Sequence, residues 1–530
     1  MIANAVATLL TVAASPHFEP DRLLEHIRVL ASDDFGGRLP GTTGEEKTID
    51  YLLTQCRKLN LQPGNPNGQF TQTVPLWGTR SEGKLQISAA DHEIALKPGT
   101  DYVAWSALPE AQVQIPPSPL VFAGYGAVAP EYHWDDYAGA KVRGKIVLLI
   151  GGDPPVADPG DPTKLDEKMF LGPALSYHGR LSRKLERAFQ HGAVGVIVLY
   201  STKQSPGLFQ NFSRENMILR GPEERKRVKA QALLSIDRAE ELFFAAGQDF
   251  KSLREAAGKP GFRAVNLPAK ASFDLRNTVR RIDSRNVIAK LPGSDRTVAK
   301  ELVIYSAHWD HHGQEGDKVF HGASDNAAGT AGVLELARAF RALPKAPRRS
   351  ILFFWPTAEE KGLLGARYYV EHPLYPRSRT LANINLDYFS NWGWGRTRDF
   401  GIVGLGNSTL DELAAEAVRR QGRVITGDTY PEQGFYFRSD HFEFARAGVP
   451  ALETTPGIDY VDKPAEYGIK KRAEYIGNDY HQPSDVPKPD WDLGGAVEDL
   501  EVLFDVGYAV AQSDTRPAWK PDAIWRPPRN

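Results

Sequence analysis

The feature that most constrains the fold is an alternation of short apolar segments with amphipathic segments, which begins near Asn286 and continues toward the carboxyl terminus. The clearest apolar segments predict strands at Leu302 to Ala307, Ile351 to Trp355, Ala382 to Leu386 and Val449 to Leu452. Apolar runs of this length are typical of strands that are buried on both faces and covered by helices. The pattern therefore predicts an α/β fold with a mostly parallel mixed sheet sandwiched by helices.

The segment after the first of these strands has the periodicity of a helix. Its apolar residues recur at the spacing of one helix face, at Val333, Leu336, Ala337 and Phe340. We therefore predict a helix over Asn326 to Leu343 that packs against the sheet.

The chain has 530 residues, which is too long for one compact core, so we expect two or three domains. Between about Glu82 and Ser272 its character changes to short β segments, Pro-rich turns and two βα-like units. The clearest strands of this region are Lys145 to Ile150 and Val194 to Tyr200. We predict an inserted β-rich α+β domain, which divides the chain into residues 18–81, the insertion 82–272, residues 273–512 and an irregular tail 513–530.

The first residues, Met1 to Ser15, are apolar and end in small residues, as do the hydrophobic and cleavage regions of a secretory signal. This interpretation of residues 1–17 predicts a periplasmic or secreted protein. A buried N-terminal helix is the alternative. Elsewhere no run approaches the roughly 20 apolar residues that a membrane span needs, so we predict no membrane span.

The charge balance limits the classes of partner. Lys and Arg number 64 against 66 for Asp and Glu, and the formal net charge is -2. This balance gives no electrostatic reason to expect nucleic acid or an anionic membrane as a partner, and a peptide or small-molecule substrate fits better. Cys56 is the only cysteine, so any metal must be bound by His, Asp and Glu.

Acidic residues and histidines recur just beyond the carboxyl ends of the predicted strands, where open α/β sheets bind their ligands. These residues are His308, Asp310, Asp325, Glu359, Glu360, Asp387 and, in a late loop, His481. Oxygen and nitrogen ligands that converge from separate strands suit a pair of borderline cations such as zinc.

Each of these residues also has an interpretation without a metal. A single histidine at a strand end is usually a cap or a surface group, and Asp325 with Asn326 could form the N-cap of the predicted helix. Glu359 and Glu360 would repel each other near a core unless a cation or an acid–base role stabilises them, whereas at a solvated helix start they would not. We expect the remaining histidines of this region to support the ligands or lie on the surface: His311, His312, His321 and His441.

A set of motifs recurs in a fixed order along this part of the chain. They are Ala307-His308-Trp309-Asp310, the run Gly322 to Gly329, the run Glu359 to Gly365, Asn385-Leu386-Asp387, Ser439-Asp440-His441 and the run His481 to Asp485. In identity, order and spacing they resemble the dizinc aminopeptidases related to aminopeptidase Y, bacterial leucyl aminopeptidase, glutamate carboxypeptidase II and the transferrin receptor. The resemblance extends from about Pro20 to Ala511. It includes the insertion, which resembles a protease-associated domain through Phe122 to Gly126 and Arg143 to Val147.

The resemblance implies a role for each site residue. Asp325 would bridge two zinc ions, of which His308 and Asp387 complete one site and Glu360 and His481 complete the other. Glu359 would be the general base, and Asp310 would fix the orientation of His308. Tyr436 resembles the tyrosine that stabilises the oxyanion in some members, and the Asp325-Asn326 bond resembles the family's cis peptide.

The implied activity is that of a zinc-dependent exopeptidase, which hydrolyses N-terminal residues of peptides through a water activated by two zinc ions. A dizinc carboxypeptidase is an alternative, since Arg438 could bind a substrate carboxylate. A non-catalytic protein like the transferrin receptor is another, and glutaminyl cyclases share the fold with one zinc. A serine hydrolase is disfavoured because the chain has no Gly-x-Ser-x-Gly motif. Residue specificity and oligomeric state stay open.

Overall fold

The computed structural model describes residues 17–89, 92–201, 208–387, 393–521, 523 and 525, so the predicted signal segment Met1 to Ser15 lies outside the described residues. The chain divides into two compact units. The first unit comprises the residues up to Val74, Asp283–Thr429 and the residues from Arg438 onward, and the second comprises Pro75–Ile282 and Tyr430–Phe437. The predicted insertion 82–272 lies within the long segment of the second unit.

The α-helices of the described residues are α1 (Pro20–Leu30), α2 (Thr43–Lys58), α3 (Leu181–Gln190), α4 (Leu208–Ser213), α5 (Ala239–Ala245), α6 (Phe250–Ala257), α7 (Gly329–Arg341), α8 (Leu364–Glu371), α9 (Leu410–Arg420), α10 (His441–Arg446), α11 (Tyr467–Asn478) and α12 (Gly494–Gln512). The strands are β1 (Gln62–Pro63), β2 (Thr71–Ala89), β3 (His92–Glu93), β4 (Tyr102–Trp105), β5 (Gln112–Phe122), β6 (Val128–Ala129), β7 (Trp134–Asp135), β8 (Ile146–Ile150), β9 (Gly195–Tyr200), β10 (Asn216–Leu219), β11 (Ala230–Ser235), β12 (Val265–Leu291), β13 (Leu302–Ser306), β14 (Gly313–Glu315), β15 (Lys318–Phe320), β16 (Ser350–Trp355), β17 (Thr380–Asn385), β18 (Asp399–Val403), β19 (Val424–Thr426) and β20 (Ala451–Pro456).

The sheet of the first unit has the order β19-β18-β20-β17-β13-β16, followed by the end of β12. Its centre is parallel: β13 pairs with both β16 and β17, and β17 pairs with β20. The pairs β18–β20 and β12–β16 are antiparallel, which makes the sheet mixed. The mostly parallel mixed sheet that the sequence predicts is therefore confirmed.

Helices cover both faces of this sheet because alternate side chains of each central strand point to opposite sides. In β13, Val303 and Tyr305 join the apolar cluster that includes α7 and α12, and the Tyr305 hydroxyl donates a hydrogen bond to the Leu503 carbonyl at 2.7 Å. Leu302 and Ile304 join a second cluster with residues of α8 and α10. The two clusters pack on opposite sides of the strands, from whose carboxyl ends the loops of the site begin.

The predicted helix over Asn326 to Leu343 begins later than the periodicity indicates. Asp325 and Asn326 have φ of -115° and -132°, outside the helical region, and α7 starts at Gly329. The Asn326 side chain accepts a hydrogen bond from the Gly329 N–H at 3.0 Å, which satisfies a donor at the helix start. The residues before α7 are therefore free of the helix and available to a site.

In the second unit the strands follow the order β12-β5-β8-β9-β11-β4. The pairs β5–β8, β8–β9 and β9–β11 are parallel, whereas β12–β5 and β11–β4 are antiparallel. The strands β8 and β9 lie where the sequence predicts them, and α3 precedes β9 along the chain. Apolar clusters cover this sheet on its two sides. Among the described residues, no helix is long and apolar enough to cross a membrane.

Candidate metal centre

The site lies at the carboxyl edge of the central parallel strands of the first unit. Because β16, β13 and β17 are parallel neighbours, the residues that follow them meet at one edge. The turn before α7 and the loop after α11 reach the same edge. Together these segments bring His308, Asp310, Asp325, Glu359, Glu360, Asp387 and His481 into one cluster.

Two sets of ligand atoms lie close enough to hold a metal ion, His308 with Glu359 and Asp387, and Asp325 with Glu360 and His481; Asp325 also reaches His308 of the first set. In the first, the Nε2 atom of His308 lies 3.3 Å from Asp325 Oδ1 and 3.3 Å from Asp387 Oδ1. In the second, the Nε2 atom of His481 lies 3.1 Å from Asp325 Oδ2 and 3.3 Å from Glu360 Oε2. Each oxygen of Asp325 therefore faces one group, as a bridging carboxylate requires.

These separations fit zinc ligands. Two donor atoms bound about 2.0 to 2.1 Å from one zinc at a tetrahedral angle lie about 3.3 to 3.4 Å apart. The observed distances of 3.1 and 3.3 Å agree with that value. Among the described residues, His308 Nε2 is buried and has no hydrogen-bond partner, which is costly unless a cation binds there.

The charge of the cluster also favours a bound cation, because the carboxylates outnumber the histidines. Burial favours the neutral ring of His308, but the nearby Asp387 and Glu359 outweigh it and raise the pKa of His308 well above its ordinary value. Burial, together with Asp387 and Glu360, raises the pKa of Glu359 well above its ordinary value. The cluster therefore attracts positive charge, which protons or metal cations can supply.

Asp310 contacts both His308 and Glu359. The Nδ1 atom of His308 lies 3.1 Å from the main-chain carbonyl of Asp310 and 3.7 Å from its carboxylate, so the carbonyl rather than the expected carboxylate is within hydrogen-bond range. The carboxylate accepts a hydrogen bond from the Glu359 N–H at 3.0 Å. Burial raises the pKa of Asp310 to about 7. Asp310 thus links the loops that carry His308 and Glu359.

A chain of buried hydrogen bonds fixes Asp387. The Ser439 hydroxyl donates to Asp387 Oδ2 at 2.5 Å, and the Asn385 amide donates to Ser439 Oγ and to Glu453 Oε2, each at 2.7 Å. Oδ2 is thereby engaged, and Oδ1 is left facing His308. Ser439 belongs to a motif singled out in the sequence, but its contact with Asp387 follows only from the structure.

Asp485 holds the turn that carries the shared carboxylate. Its side chain accepts hydrogen bonds from the Ser324 N–H at 3.1 Å and the Asp325 N–H at 3.2 Å. Burial raises the pKa of Asp485 to about 6. The Asp325-Asn326 peptide bond is cis, as the resemblance implies, and the Asn326 amide donates to the Leu386 carbonyl at 2.9 Å.

Arg38, which the sequence did not single out, ties together the main chain behind the site. Its side chain is 1% exposed. Its guanidinium donates hydrogen bonds of 2.6 to 2.9 Å to the carbonyls of Leu30, Trp309, His321 and Gly322. Burial lowers the pKa of Arg38 to about 10, although Asp310 and other carboxylates oppose the shift. An arginine in a turn is usually exposed, so its burial was not expected. The one sequence feature that marks its position is the pair Gly36-Gly37 directly before it.

The remaining histidines and the tyrosine that the sequence analysis named have different surroundings. His311 and His312 form a third group with Glu360, and His441 Nδ1 lies 3.1 Å from Glu453. His321 is 2.7 Å from Asp33 and does not join these groups. Tyr436 is buried against Phe437 in the segment Tyr430–Phe437, which belongs to the second unit.

Comparison with known proteins finds similarity over nearly the whole chain. The family model described as peptidase family M28 matches residues 286–504. The probable lipoprotein aminopeptidase LpqL of Mycobacterium tuberculosis is 30% identical over 501 residues, which cover 92% of this chain and 82% of the relative. Aminopeptidase YwaD of Bacillus subtilis is 26% identical over 462 residues, or 84% of this chain and 80% of the relative.

The fold is also found among solved structures. An aminopeptidase from Aneurinibacillus sp. strain AM-1 aligns with a TM-score of 0.54 over 97% of this chain and 98% of its own, at 18% identity. At that identity the likeness concerns the fold alone.

Replacing Arg38 by methionine should destabilise the protein strongly. The change leaves buried carbonyls without donors, so we expect the free energy of unfolding in urea to fall by at least about 3 kcal/mol. Arg38→Lys should restore only part of it, because one ammonium cannot reach all four carbonyls. Arg28→Met, on the exposed side of α1, is the matched control; equal stability of Arg28→Met and Arg38→Met would contradict the assigned role.

Replacing Ser439 by alanine should weaken metal binding with little change in fold. Without the hydroxyl, Asp387 Oδ2 loses this donor, and we expect metal affinity to fall about 10- to 100-fold. Titration with zinc against a chromogenic chelator measures this loss, and the exposed Ser378→Ala is the control. An unchanged affinity in Ser439→Ala would show that Asp387 is positioned by other contacts.

Proposed function

The chain belongs to peptidase family M28, and from this premise we propose that it is a zinc-dependent exopeptidase that removes residues from the amino terminus of peptides. The relatives that match it over most of its length are named aminopeptidases. A metallopeptidase of this family hydrolyses peptide bonds, so peptides are the substrate class.

The observation that carries the proposal is the pair of ligand groups around Asp325. The oxygens of this one side chain lie 3.3 Å from His308 Nε2 and 3.1 Å from His481 Nε2, at the spacing of zinc ligands. We infer that two zinc ions bind here, one held by His308 and Asp387 and the other by Glu360 and His481, with Asp325 shared. Cysteine ligands are absent, and these oxygen and nitrogen donors suit zinc.

Zinc in such a site supplies Lewis-acid chemistry, because it lowers the pKa of water and polarises the scissile carbonyl. Glu359 lies next to the first group, with Oε2 3.7 Å from His308 Nε2, and its N–H is anchored on Asp310. Burial raises the pKa of Glu359, which makes the carboxylate a stronger base, and bound cations would lower that pKa. Glu359 therefore takes the proton from the attacking water and returns it to the leaving amine.

The alternatives have less support. A carboxypeptidase needs a cation for the substrate carboxylate, and Arg438 is exposed with its guanidinium donating to the Tyr480 hydroxyl at 3.1 Å. The relatives named above, however, are aminopeptidases. A non-catalytic receptor-like protein would not need to keep all five ligand residues and the base.

The proposal extends to the second unit, which we assign as a protease-associated domain. Its Phe122 to Gly126 motif ends β5 in a tight turn, where the Gly126 N–H donates to the Ala123 carbonyl at 2.8 Å. Gly126 has a φ of +63° and lies against Leu149, so this turn requires glycine. The Arg143 to Val147 motif leads into β8, the parallel neighbour of β5.

Replacing Glu359 by glutamine should separate binding from turnover. The amide cannot take the proton, so we expect kcat to fall by about 10²- to 10⁴-fold while zinc content stays that of the wild type. Peptide hydrolysis and elemental analysis on the same samples measure both, with the exposed Glu371→Gln as control. Wild-type turnover by a fully metallated Glu359→Gln protein would eliminate Glu359 as the base.

Matched peptides test which chain end is recognised. One peptide carries an acetylated amino terminus and the other an amidated carboxyl terminus, and release of free amino acids is measured by chromatography. We expect cleavage only of the peptide whose amino terminus is free. Cleavage only of the acetylated peptide would make the protein a carboxypeptidase, and cleavage of neither by zinc-loaded protein would favour a binding function.

A further inference from the structure

The segment Tyr430–Phe437 belongs to the second unit, although the residues on both sides of it belong to the first. Its local structure is two single helical turns, Pro431–Gln433 and Phe435–Phe437, which are joined by Gly434. Turns this short do not hold a conformation by themselves, because their few hydrogen bonds do not offset the lost chain entropy. Contacts with the rest of the second unit must therefore define the shape of the segment.

Three of these contacts come from the loop between β8 and α3. The Leu175 N–H donates to the Pro431 carbonyl at 2.9 Å. The Leu175 side chain covers Gly434, where a Cβ would lie 2.7 Å from the leucine Cδ2 atom, and the φ of +64° also favours glycine there. The Tyr177 ring meets the Phe437 ring with centroids 6.0 Å apart and an angle of 49° between the planes. The β8–α3 loop thus contacts the segment near its beginning, in its middle and at its end.

The β8–α3 loop is itself anchored to the second unit. Asp153, just beyond β8, accepts hydrogen bonds from the Ser176 N–H at 2.6 Å and from the Ser176 hydroxyl at 2.8 Å. Burial raises the pKa of Asp153, and the buried ammonium of Lys184 in α3 opposes the shift. Because Ser176 lies between Leu175 and Tyr177, these hydrogen bonds fix the part of the loop that contacts the segment.

The next two residues of the chain after the segment contact the metal centre. The Arg438 guanidinium donates to the Tyr480 hydroxyl at 3.1 Å, and the Tyr480 ring stacks on His481 with centroids 3.7 Å apart. The Ser439 hydroxyl donates to Asp387 Oδ2 at 2.5 Å. A shift of the segment would therefore pass through one or two peptide bonds to groups that orient two of the inferred zinc ligands.

We propose that the β8–α3 loop positions the segment Tyr430–Phe437, and with it Arg438 and Ser439, for catalysis; this inference rests on the proposed function. Leu175 and Tyr177 act through the segment and are positioning residues. Small misplacements at an active site are costly, because a shift of about 1 Å can lower the rate about 100-fold. Turnover then requires the second unit, although the inferred metal ligands and the base all come from the first.

The test compares two replacements of Tyr177 in the full-length, zinc-loaded protein. Tyr177→Ala removes the ring that meets Phe437, whereas Tyr177→Phe keeps it. Phe244→Ala is the matched control, since Phe244 is 86% exposed in α5 of the same unit. With saturating zinc and a peptide whose amino terminus is free, we expect kcat of Tyr177→Ala to fall about 10- to 100-fold with little change in KM. Tyr177→Phe and Phe244→Ala should keep the wild-type kcat.

A second readout does not depend on activity. Hydrogen exchange followed by mass spectrometry reports local opening of the main chain. We expect the N–H groups of the segment to exchange faster in Tyr177→Ala than in the wild type, while those of α9 exchange at the wild-type rate. If Tyr177→Ala does not fold, Leu175→Ala is measured in its place, because it uncovers Gly434 and keeps the main-chain hydrogen bond to Pro431.

The outcomes distinguish this inference from the proposal on which it rests. A wild-type kcat in Tyr177→Ala would overturn the positioning role and leave the two-zinc peptidase intact. A rise in KM alone would also overturn it, since the loop would then bind the peptide directly, and so would an equal loss of kcat in Tyr177→Phe. A wild-type protein that binds no zinc and cleaves no peptide would overturn the proposed function, whereas hydrogen exchange would still show whether the loop holds the segment.

Discussion

The mutual repulsion of buried carboxylates at one edge of the sheet is the constraint on which the rest of the site depends. Asp325, Glu360 and Asp387 lie close together around His308 and His481, and Glu359 is beside them. Like charges at such spacing are unfavourable in a low-dielectric environment unless cations neutralise them. Without cations, this repulsion destabilises the folded site. The same clustered negative charge attracts divalent ions strongly.

The folded protein can keep these carboxylates together because other hydrogen bonds fix the surrounding main chain. Arg38 gathers carbonyls from the loops that carry the ligands, Asp485 accepts the N–H groups next to Asp325, and Ser439 engages one oxygen of Asp387. Each contact satisfies a buried polar group and leaves the ligand atoms facing inward. These hydrogen bonds do not involve the metal. They therefore position the ligand side chains before a metal ion binds, which is how a site is preorganised.

Much of this arrangement follows from sequence, but not all. The sheet and the clustering of these acidic residues and histidines were predictable because apolar runs mark the strands and ligands of α/β sheets follow their carboxyl ends. The start of α7 was predicted three residues early, since hydrophobic periodicity does not register the non-helical dihedrals of Asp325 and Asn326. Arg38 was not predicted because its partners are main-chain carbonyls. Every residue has such a carbonyl, so no sequence pattern marks the contact. The assignment of Tyr430–Phe437 to the second unit likewise depends on tertiary contacts alone.

The positions of the ligands along the chain also indicate that folding of the sheet does not depend on the metal. His308 and His481 are far apart in sequence and come together only when β13 and the loop after α11 are in place, so the site is a product of folding. In small zinc domains the metal supplies the folding energy. In this protein a large apolar cluster around α7 and α12 already secures the sheet. The free energy of metal binding is therefore available to neutralise the carboxylates and to activate water, which is what hydrolysis requires.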